Sequence, residues 1–304
     1  MNILITGGAG YLGTELCLRL MQRTDIDSIN VYDNLSRKNF NFFLGPEILD
    51  GKVRFTDAEL LDSYTRGKEI NKADCVIHLA AKVTTPFADE NAHLFDQVNN
   101  WGTAELCRAV EESDRCKRLI YMSSAGVYGA GDEAAHLSTP PNPKTFYGIS
   151  KLKGERHVER LAGKREVSIV RCANVYGYSK SMRFDAVINR FVLHAKNHGR
   201  VTINGSGDQM RAFVHVERVS DFLENLLFTT HMQPHYNLTD ANFTVNDIAY
   251  TLKELLPEME MLYVDQQLKL RQIHVAPDQN VDALIGAKTA TLAKELKGFL
   301  DRMA

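Results

Sequence analysis

The stretch NILITGGAGYLG, residues 2–13, decides the fold expected of this 304-residue chain. Its apolar residues 3–5 predict a short buried strand, and the leucine spacing that follows predicts an amphipathic helix. Between strand and helix, Gly7, Gly10 and Gly13 allow a tight turn whose backbone can approach a ligand closely. The N–H groups at the start of the helix would then face an anion such as a pyrophosphate. The stretch therefore predicts a dinucleotide-binding turn.

An acidic residue follows at the spacing that such a turn requires. Asp33 closes the apolar run 29–32, about 20 residues after Gly13. A carboxylate there accepts hydrogen bonds from an adenosine ribose and repels a 2′-phosphate. The sequence therefore predicts NAD rather than NADP, although Arg37 and Lys38 follow closely enough to weaken that preference.

Strand and helix patterns alternate along the first part of the chain. Strands are predicted at 3–5, 29–32, 53–55, 75–81, 119–122 and 167–170, and later helices at 58–70, 92–112 and 146–161. Alternation of this kind predicts parallel pairing, so the expected fold is α/β, with a Rossmann-type doubly wound parallel sheet. The strand at 75–81 runs into a turn of small residues that a cofactor could approach.

The pattern loosens after Gly177, where we expect a smaller C-terminal α/β substrate-binding domain. Helices are predicted at 184–194, 216–228, 245–256 and 289–300, with short strands at 201–203 and 212–214. Residues 1–176 would then form the NAD-binding domain and residues 177–304 the nucleotide-sugar-binding domain. Part of about 212–232 is expected to return to the first domain.

Composition excludes several classes of function. The net charge of −2 argues against a dedicated nucleic-acid-binding protein, and no stretch approaches the length of a membrane span. The five cysteines are scattered and form no C-x-x-C pair, which favours a cytoplasmic protein. The spacings His194/His198 and His231/His235 indicate solvated helix faces, so no metal site is expected.

Three residues form a candidate proton-transfer unit. Tyr147 and Lys151 lie one helical turn apart on one face of the predicted helix 146–161. Ser124 ends a predicted strand, at the sheet edge where open α/β folds bind ligands. A lysine cation, helped by the positive nicotinamide ring, would move the pKa of the tyrosine toward working pH. A phenolate base beside a hydride acceptor is what oxidation of a secondary alcohol requires, so these residues are predicted to be catalytic.

Taken in order, these motifs resemble the extended short-chain dehydrogenase/reductases of the nucleotide-sugar epimerase/dehydratase family, UDP-glucose 4-epimerase-like. The resemblance covers about the first 230 residues. It is carried by TGGAGYLG at 6–13, DN at 33–34, Asp57, HLAA at 78–81, Asn99, GT at 102–103, SSAGVYG at 123–129, Tyr147 with Lys151, RCANVYG at 171–177 and GSGDQMRAFVH at 205–215.

The resemblance implies NAD as the cofactor and a nucleotide-diphosphate sugar as the substrate. It implies cofactor contacts by Gly7, Gly10, Tyr11, Leu12, Gly13, Asp33, Asn34, Asp57, Ala58, Leu79, Ala80, Ala81, Asn99, Tyr147 and Lys151. The implied substrate contacts are Ser124, Asn174 and the arginines Arg211 and Arg271, which would bind the diphosphate. The helices around 92–112 and 146–161 resemble those that pair in the family's homodimer.

Two positions depart from the family's pattern. Dehydratases of the family place an Asp-Glu pair directly after the catalytic Ser or Thr, and the related decarboxylases keep a glutamate at the second position. Here those positions are Ala125 and Gly126, neither of which can move a proton. The remaining set, Ser124, Tyr147 and Lys151, suffices to oxidise one carbon and reduce it again from the other face.

The leading hypothesis is therefore an NAD-dependent nucleotide-sugar 4-epimerase. A ketoreductase or dehydrogenase acting on a nucleotide sugar, a dehydratase of the same family and a non-catalytic dinucleotide sensor remain as alternatives. A steroid or flavonoid reductase is disfavoured, because Arg211 in a diphosphate-type motif would have no role there.

Overall fold

A computed structural model gives the structure of residues 1–44, 51–83, 92–264 and 272–303. Arg271, expected to bind the diphosphate, lies outside these described residues. The strands are β1 Asn2–Thr6, β2 Ser28–Asp33, β3 Val53–Asp57, β4 Cys75–His78, β5 Arg118–Ser124, β6 Glu166–Cys172, β7 Asn174–Tyr176, β8 Arg200–Asn204, β9 Met210–His215, β10 His235–Leu238, β11 Ala241–Thr244 and β12 Glu260–Val264. The helices are α1 Tyr11–Met21, α2 Ser63–Ile70, α3 Ala92–Phe95, α4 Thr103–Glu112, α5 Phe146–Glu159, α6 Val187–His198, α7 Val216–Phe228, α8 Val245–Leu255, α9 Gln279–Ile285 and α10 Leu292–Arg302.

Seven parallel strands form the main sheet, in the order β10-β6-β5-β4-β1-β2-β3. The strand order reverses between β1 and β4, so the first βα turn opens beside the crevice at which doubly wound sheets bind ligands. Strands β1, β4 and β5 bury most of their residues, as a sheet covered by helices on both faces requires. The predicted Rossmann-type doubly wound fold is confirmed.

Two smaller sheets follow β6 in the chain. Strand β9 pairs with β7 and β11, and β8 pairs with β12. Helices α6, α8 and α10 pack around a second apolar cluster that includes Phe191, Ile248 and Leu296. The chain also returns to the main sheet, because β10 pairs with β6 and α7 packs against α1. The division into two domains at residue 176 stays a prediction.

Several predicted boundaries differ from the structure. The helix expected at 58–70 begins only at Ser63, because the Asp62 side chain accepts a hydrogen bond from Thr65 N and caps it. The helix at 92–112 is continuous but contains a π-helical stretch at Asp96–Gly102, which ends at its only glycine. The strand at 75–81 ends at His78, and the helix at 184–194 begins at Val187. None of the helices in the described parts of the chain is long and apolar enough to span a membrane.

Candidate active site

The glycine turn between β1 and α1 is closely packed. Gly7 has φ +69°, and a Cβ on it would lie 2.7 Å from Ala80 N. A Cβ on Gly13 would lie 2.4 Å from Gly8 Cα, so both positions require glycine. Gly10 precedes the first residue of α1 and has no side chain to cap it, which leaves the N–H groups of the first turn facing outward. Leu12 follows within this first turn. A dinucleotide pyrophosphate fits this cradle.

The Asp33 carboxylate is fixed above this turn. It accepts hydrogen bonds from Ala9 N at 3.1 Å and from Leu35 N at 2.8 Å. Burial, together with the nearby Asp57 carboxylate, raises the pKa of Asp33. The guanidinium of Arg37, which follows Asp33 in the chain, is already in an ion pair, since its Nη2 lies 3.1 Å from Asp185 Oδ1. Both observations suit a ribose with free hydroxyls.

The other predicted adenosine-side residues surround the end of β2. Ala58 N donates to Asp33 O at 3.2 Å, which brings the end of β3 beside this carboxylate. Asn34 lies at the surface, where its Nδ2 donates to Glu59 Oε2 at 2.9 Å. Asp57 is exposed and pairs in register with Asp33. The structure therefore brings these predicted residues together.

The turn after β4 closes the opposite side of the crevice. Leu79 N donates to Thr6 O at 3.0 Å, and Ala80 N donates to Thr6 Oγ1 at 3.3 Å. Asn99, buried in the π-helical stretch, binds both the N–H and the carbonyl of Lys82. Its Nδ2 also donates to Ser150 Oγ at 3.0 Å. Asn99 thus ties the turn at 79–82 to helix α5.

Close packing sets the position of α5 beside the end of β5. Thr145 caps the helix by accepting a hydrogen bond from Gly148 N at 3.0 Å. A Cβ on Gly148 would lie 2.7 Å from Gly126 O, and one on Gly154 would lie 2.3 Å from the Tyr121 phenol oxygen. These glycines let the helix approach the sheet, so Tyr147 is held near the end of β5.

Ser124 and Tyr147 meet at that edge. Ser124 Oγ accepts a hydrogen bond from Gly126 N at 3.1 Å. A Cβ on Gly126 would lie 3.4 Å from Ser124 Oγ and 4.0 Å from Tyr147 Cδ1. A side chain at position 126 would therefore point between the serine and the tyrosine. Glycine leaves that space without a titratable group.

Burial dominates the ionisation of Tyr147 and Lys151. It raises the pKa of Tyr147, against the hydroxyl of Ser124 and the positive charge of Arg183, which both lower it. The expectation that Lys151 brings this pKa down is wrong for the chain by itself, because burial removes the water that would solvate a phenolate. Lys151 is only 2% exposed, and burial lowers its pKa to about 7. Its Nζ lies 4.4 Å from the centre of the Tyr121 ring.

The predicted substrate residues lie on neighbouring strands of the three-stranded sheet. Asn174, at the start of β7, is exposed, and its Nδ2 donates to Ala212 O at 3.0 Å. Arg211 precedes Ala212 on β9, and burial lowers the pKa of its guanidinium. The Tyr11 phenol donates to Gly177 O at 2.6 Å, which joins the glycine turn to the end of β7. Asn174 and Arg211 are thus brought together.

Two residues of the site, Arg183 and Glu155, were not predicted from the sequence. Arg183 lies in the loop before α6, and its positive charge lowers the pKa of both Tyr11 and Tyr147. No sequence pattern indicates this loop residue. Glu155 is buried one helical turn after Lys151, and the four-residue spacing could have indicated it.

Glu155 also belongs to a group with potential metal ligands. Ligand atoms of Glu155, Glu159 and His235 lie within 4.8 Å of one another. Arg171, however, already places a positive charge on Glu155 through an ion pair of 2.8 Å. We interpret the group as an ion-pair network. The expectation that the chain holds no metal stays a prediction.

One family model matches most of this chain. The model of the NAD dependent epimerase/dehydratase family matches residues 3–238. A putative UDP-glucose 4-epimerase of Methanocaldococcus jannaschii is 31% identical over 227 residues, which cover 72% of this chain and 70% of that protein. A trifunctional UDP-glucose 4,6-dehydratase/UDP-4-keto-6-deoxy-D-glucose 3,5-epimerase/UDP-4-keto-L-rhamnose-reductase of Arabidopsis thaliana is 27% identical over 315 residues, or 99% of this chain and 46% of that protein. The chain therefore spans about half the length of this plant relative.

A solved structure shows the same fold. The dTDP-glucose 4,6-dehydratase DesIV of Streptomyces venezuelae, crystallised with NAD and TYD bound, superposes with a TM-score of 0.87 at 22% identity. The match covers 99% of this chain and 96% of that one. The glycine turn and Asp33 fit the same cofactor, and the family match spans both. The chain therefore belongs to the NAD-dependent epimerase/dehydratase family, and NAD is its cofactor.

Proposed function

We propose that the protein is a nucleotide-sugar 4-epimerase. The observation that carries the proposal is the pair Ala125 and Gly126 beside Ser124 and Tyr147. A side chain at 126 would reach the space between those two residues, and the chain places glycine there. Elimination of water from the sugar needs a further acid and base at the reacting carbons. Oxidation and reduction at a single carbon need neither.

Each residue of the unit then has a role in moving one proton. Tyr147 takes the proton of the C4 hydroxyl as that carbon is oxidised, and it returns the proton when the carbon is reduced. Ser124 donates a hydrogen bond to the same oxygen, and the Lys151 ammonium stabilises the phenolate electrostatically. NAD, when bound, would supply the hydride acceptor for oxidation at C4 and the hydride donor for reduction from the opposite face.

The remaining predicted residues would hold the two ligands. The glycine turn and Asp33 would bind the pyrophosphate and the adenosine ribose, and the turn at 79–81 would line the nicotinamide side. Arg211 would bind the diphosphate of the sugar nucleotide, because a guanidinium matches phosphate oxygens. Its partial burial supports this, since a cation that has lost part of its hydration gains from an anionic ligand. Asn174 would bind beside it.

We further propose that the protein is a homodimer paired through the helices around 92–112 and 146–161. Large apolar side chains are exposed along these helices, namely Trp101 at 60%, Phe146 at 47% and Ile149 at 39%. Burial of such side chains against a second copy would stabilise the pair.

The test is to identify the product formed from candidate substrates. The NAD-loaded protein is incubated with UDP-, GDP-, dTDP- and CDP-hexoses, and the sugars are followed by proton NMR. An equilibrium mixture of two C4 epimers is expected for one nucleotide class. A 4-keto-6-deoxy sugar would instead identify a dehydratase, which is the activity given in the names of several relatives. Net conversion of NAD to NADH would identify a dehydrogenase or ketoreductase.

A further inference from the structure

A buried carboxylate lies directly behind the proposed proton-transfer unit. Glu155 is fully buried on α5, four residues after Lys151, so the two side chains share one face of the helix. Its Oε1 accepts a hydrogen bond from Ser123 Oγ at 2.5 Å. Arg171 binds both carboxylate oxygens, with Nη2 at 2.8 Å from Oε2 and Nε at 3.1 Å from Oε1. The carboxylate is therefore held in one place and in its charged form.

The partners of Glu155 are themselves fixed. Arg171 lies on β6, and its Nη1 donates to the Tyr128 phenol at 3.0 Å. That phenol donates to Asn237 Oδ1 at 2.7 Å, and Asn237 N donates to Asp278 Oδ2 at 3.0 Å. The chain of contacts links α5 to the edge strand β10. Rotation of Glu155 away from Lys151 would break several buried hydrogen bonds at once.

The carboxylate of Glu155 is the negatively charged group among the side chains packed around Lys151. Lys151 is faced by Glu155 from its own helix, by the Tyr121 ring from β5, by Cys172 from β6 and by His78 from β4. Arg171 on β6 contacts Glu155. Burial raises the pKa of the Cys172 thiol to about 12 and that of the Tyr121 phenol well above its usual value, and it lowers the pKa of His78 to about 3. Among these described groups, only Glu155 carries a negative charge near neutral pH.

We propose that Glu155 is a positioning residue whose fixed carboxylate, held by Arg171 and Ser123, favours the ammonium form of Lys151, one helical turn after Tyr147. The role rests on the proposed function, because a charged Lys151 is what the phenolate of Tyr147 requires. Burial alone favours a neutral amine, and the carboxylate one turn further along the helix opposes it. A lysine buried without such a partner would lose its proton at a lower pH.

The first test measures the charge of Lys151 without relying on catalysis. The free energy of unfolding of the cofactor-free protein is measured with lysine and with methionine at position 151, across a range of pH. The same pair is then measured with Glu155→Gln in both chains. The difference in free energy of unfolding within a pair is the contribution of Lys151 to stability. The pH at which this difference changes reports the pKa of Lys151 in the folded protein. In the Glu155→Gln background this pH is expected to fall by about 1–3 units, the size of a lost neighbouring charge. Glu159→Gln is the control, because Glu159 lies one turn further along α5 and is exposed.

A second set of variants separates charge from packing. Glu155→Gln leaves Arg171 unpaired, so the double variant Glu155→Gln/Arg171→Gln is measured in the same way if the single variant does not unfold cooperatively. Glu155→Asp keeps the charge and is expected to keep most of the wild-type pH dependence. An unchanged Lys151 contribution in Glu155→Gln or in the double variant would overturn the proposal.

The activity profile gives an independent measurement. If the protein is an epimerase, Glu155→Gln should lower kcat at pH 8 by at least about tenfold and move the alkaline limb of the profile to lower pH. A shift in the unfolding experiment without any epimerase product would refute the proposed function and leave the role of Glu155 standing. A normal alkaline limb in an active Glu155→Gln enzyme would refute the role of Glu155 alone.

Discussion

Lys151→Met is expected to stabilise the cofactor-free protein at neutral pH, although it removes a residue of the proposed active site. Burial lowers the pKa of Lys151 from its usual 10.5 to about 7 in the fold. In the unfolded chain the lysine keeps its usual pKa, so unfolding takes up a proton between these two values. Burial of the charged Lys151 therefore reduces the free energy of unfolding by its full amount below about pH 7. This reduction disappears as the pH rises toward about 10.5.

The size of the effect follows from these two pKa values. With one unit of pKa equal to about 1.4 kcal/mol, the penalty is about 4 kcal/mol at pH 7 and about 2 kcal/mol at pH 9. Methionine matches the length of the lysine stem, so its repacking should change stability by less than about 1.5 kcal/mol. The variant should thus be more stable than the wild type by a few kcal/mol at pH 7. That advantage should shrink by about half at pH 9.

Urea denaturation at pH 7, 8 and 9 measures this difference. Lys153→Met is the matched control, because Lys153 lies on the same helix with 43% of its side chain exposed, in an ion pair with Asp96 at 2.6 Å. Its effect should stay below about 1 kcal/mol. A Lys151→Met variant that is no more stable than the wild type at pH 7, or whose advantage is the same at pH 9, would show that Lys151 is not buried as described.

The other expectations concern ligands and turnover. Tyr147→Phe should lower turnover by about 10²–10⁴-fold while the fold and NAD affinity are kept, and near-normal turnover would identify another base. Arg211→Ala should raise the KM for the sugar nucleotide by about 10–150-fold, as loss of a charged hydrogen bond of about 1.5–3 kcal/mol predicts, and should leave NAD affinity nearly unchanged. An unchanged KM would place the diphosphate elsewhere. NAD should bind more tightly than NADP, because Asp33 is fixed beside the glycine turn, where it would meet the ribose, and Arg37 is paired with Asp185. Calorimetric titration of both cofactors measures this, and tighter NADP binding would contradict it.

Local sequence patterns were sufficient to predict the first half of the fold. The glycine turn, the strand that ends at Asp33 and the helix that carries Tyr147 and Lys151 each depend on residues close in the chain, such as the turn glycines and the Thr145 cap. Strands β10 and β11, with the sequences HYNL and ANFT, were missed because four residues are too few for their alternation of polar and apolar residues to identify a strand. Strand β10 is defined by its pairing with β6 at the edge of the sheet, which no local pattern shows.

The site was predictable where its residues share an element and unpredictable where tertiary packing joins them. Spacing along α5 places Tyr147 and Lys151 on one face, and the same spacing extends to Glu155. The partner of Glu155 lies on β6, so only the folded sheet identifies Arg171. The raised pKa of Tyr147 in the chain by itself was unpredictable for the same reason, because burial is a property of the packed structure.

The most direct test of the epimerase assignment follows the hydrogen at C4 of the sugar. With Ala125 and Gly126 beside the reacting carbon, the ketone has no side chain there to remove a further proton, so the hydride should return to the carbon that it left. A substrate deuterated at C4 should give a C4 epimer that keeps the label, with no net release of NADH, and NMR of the product mixture measures both. A dehydrated 4-keto-6-deoxy sugar, or loss of the label from C4, would contradict the account.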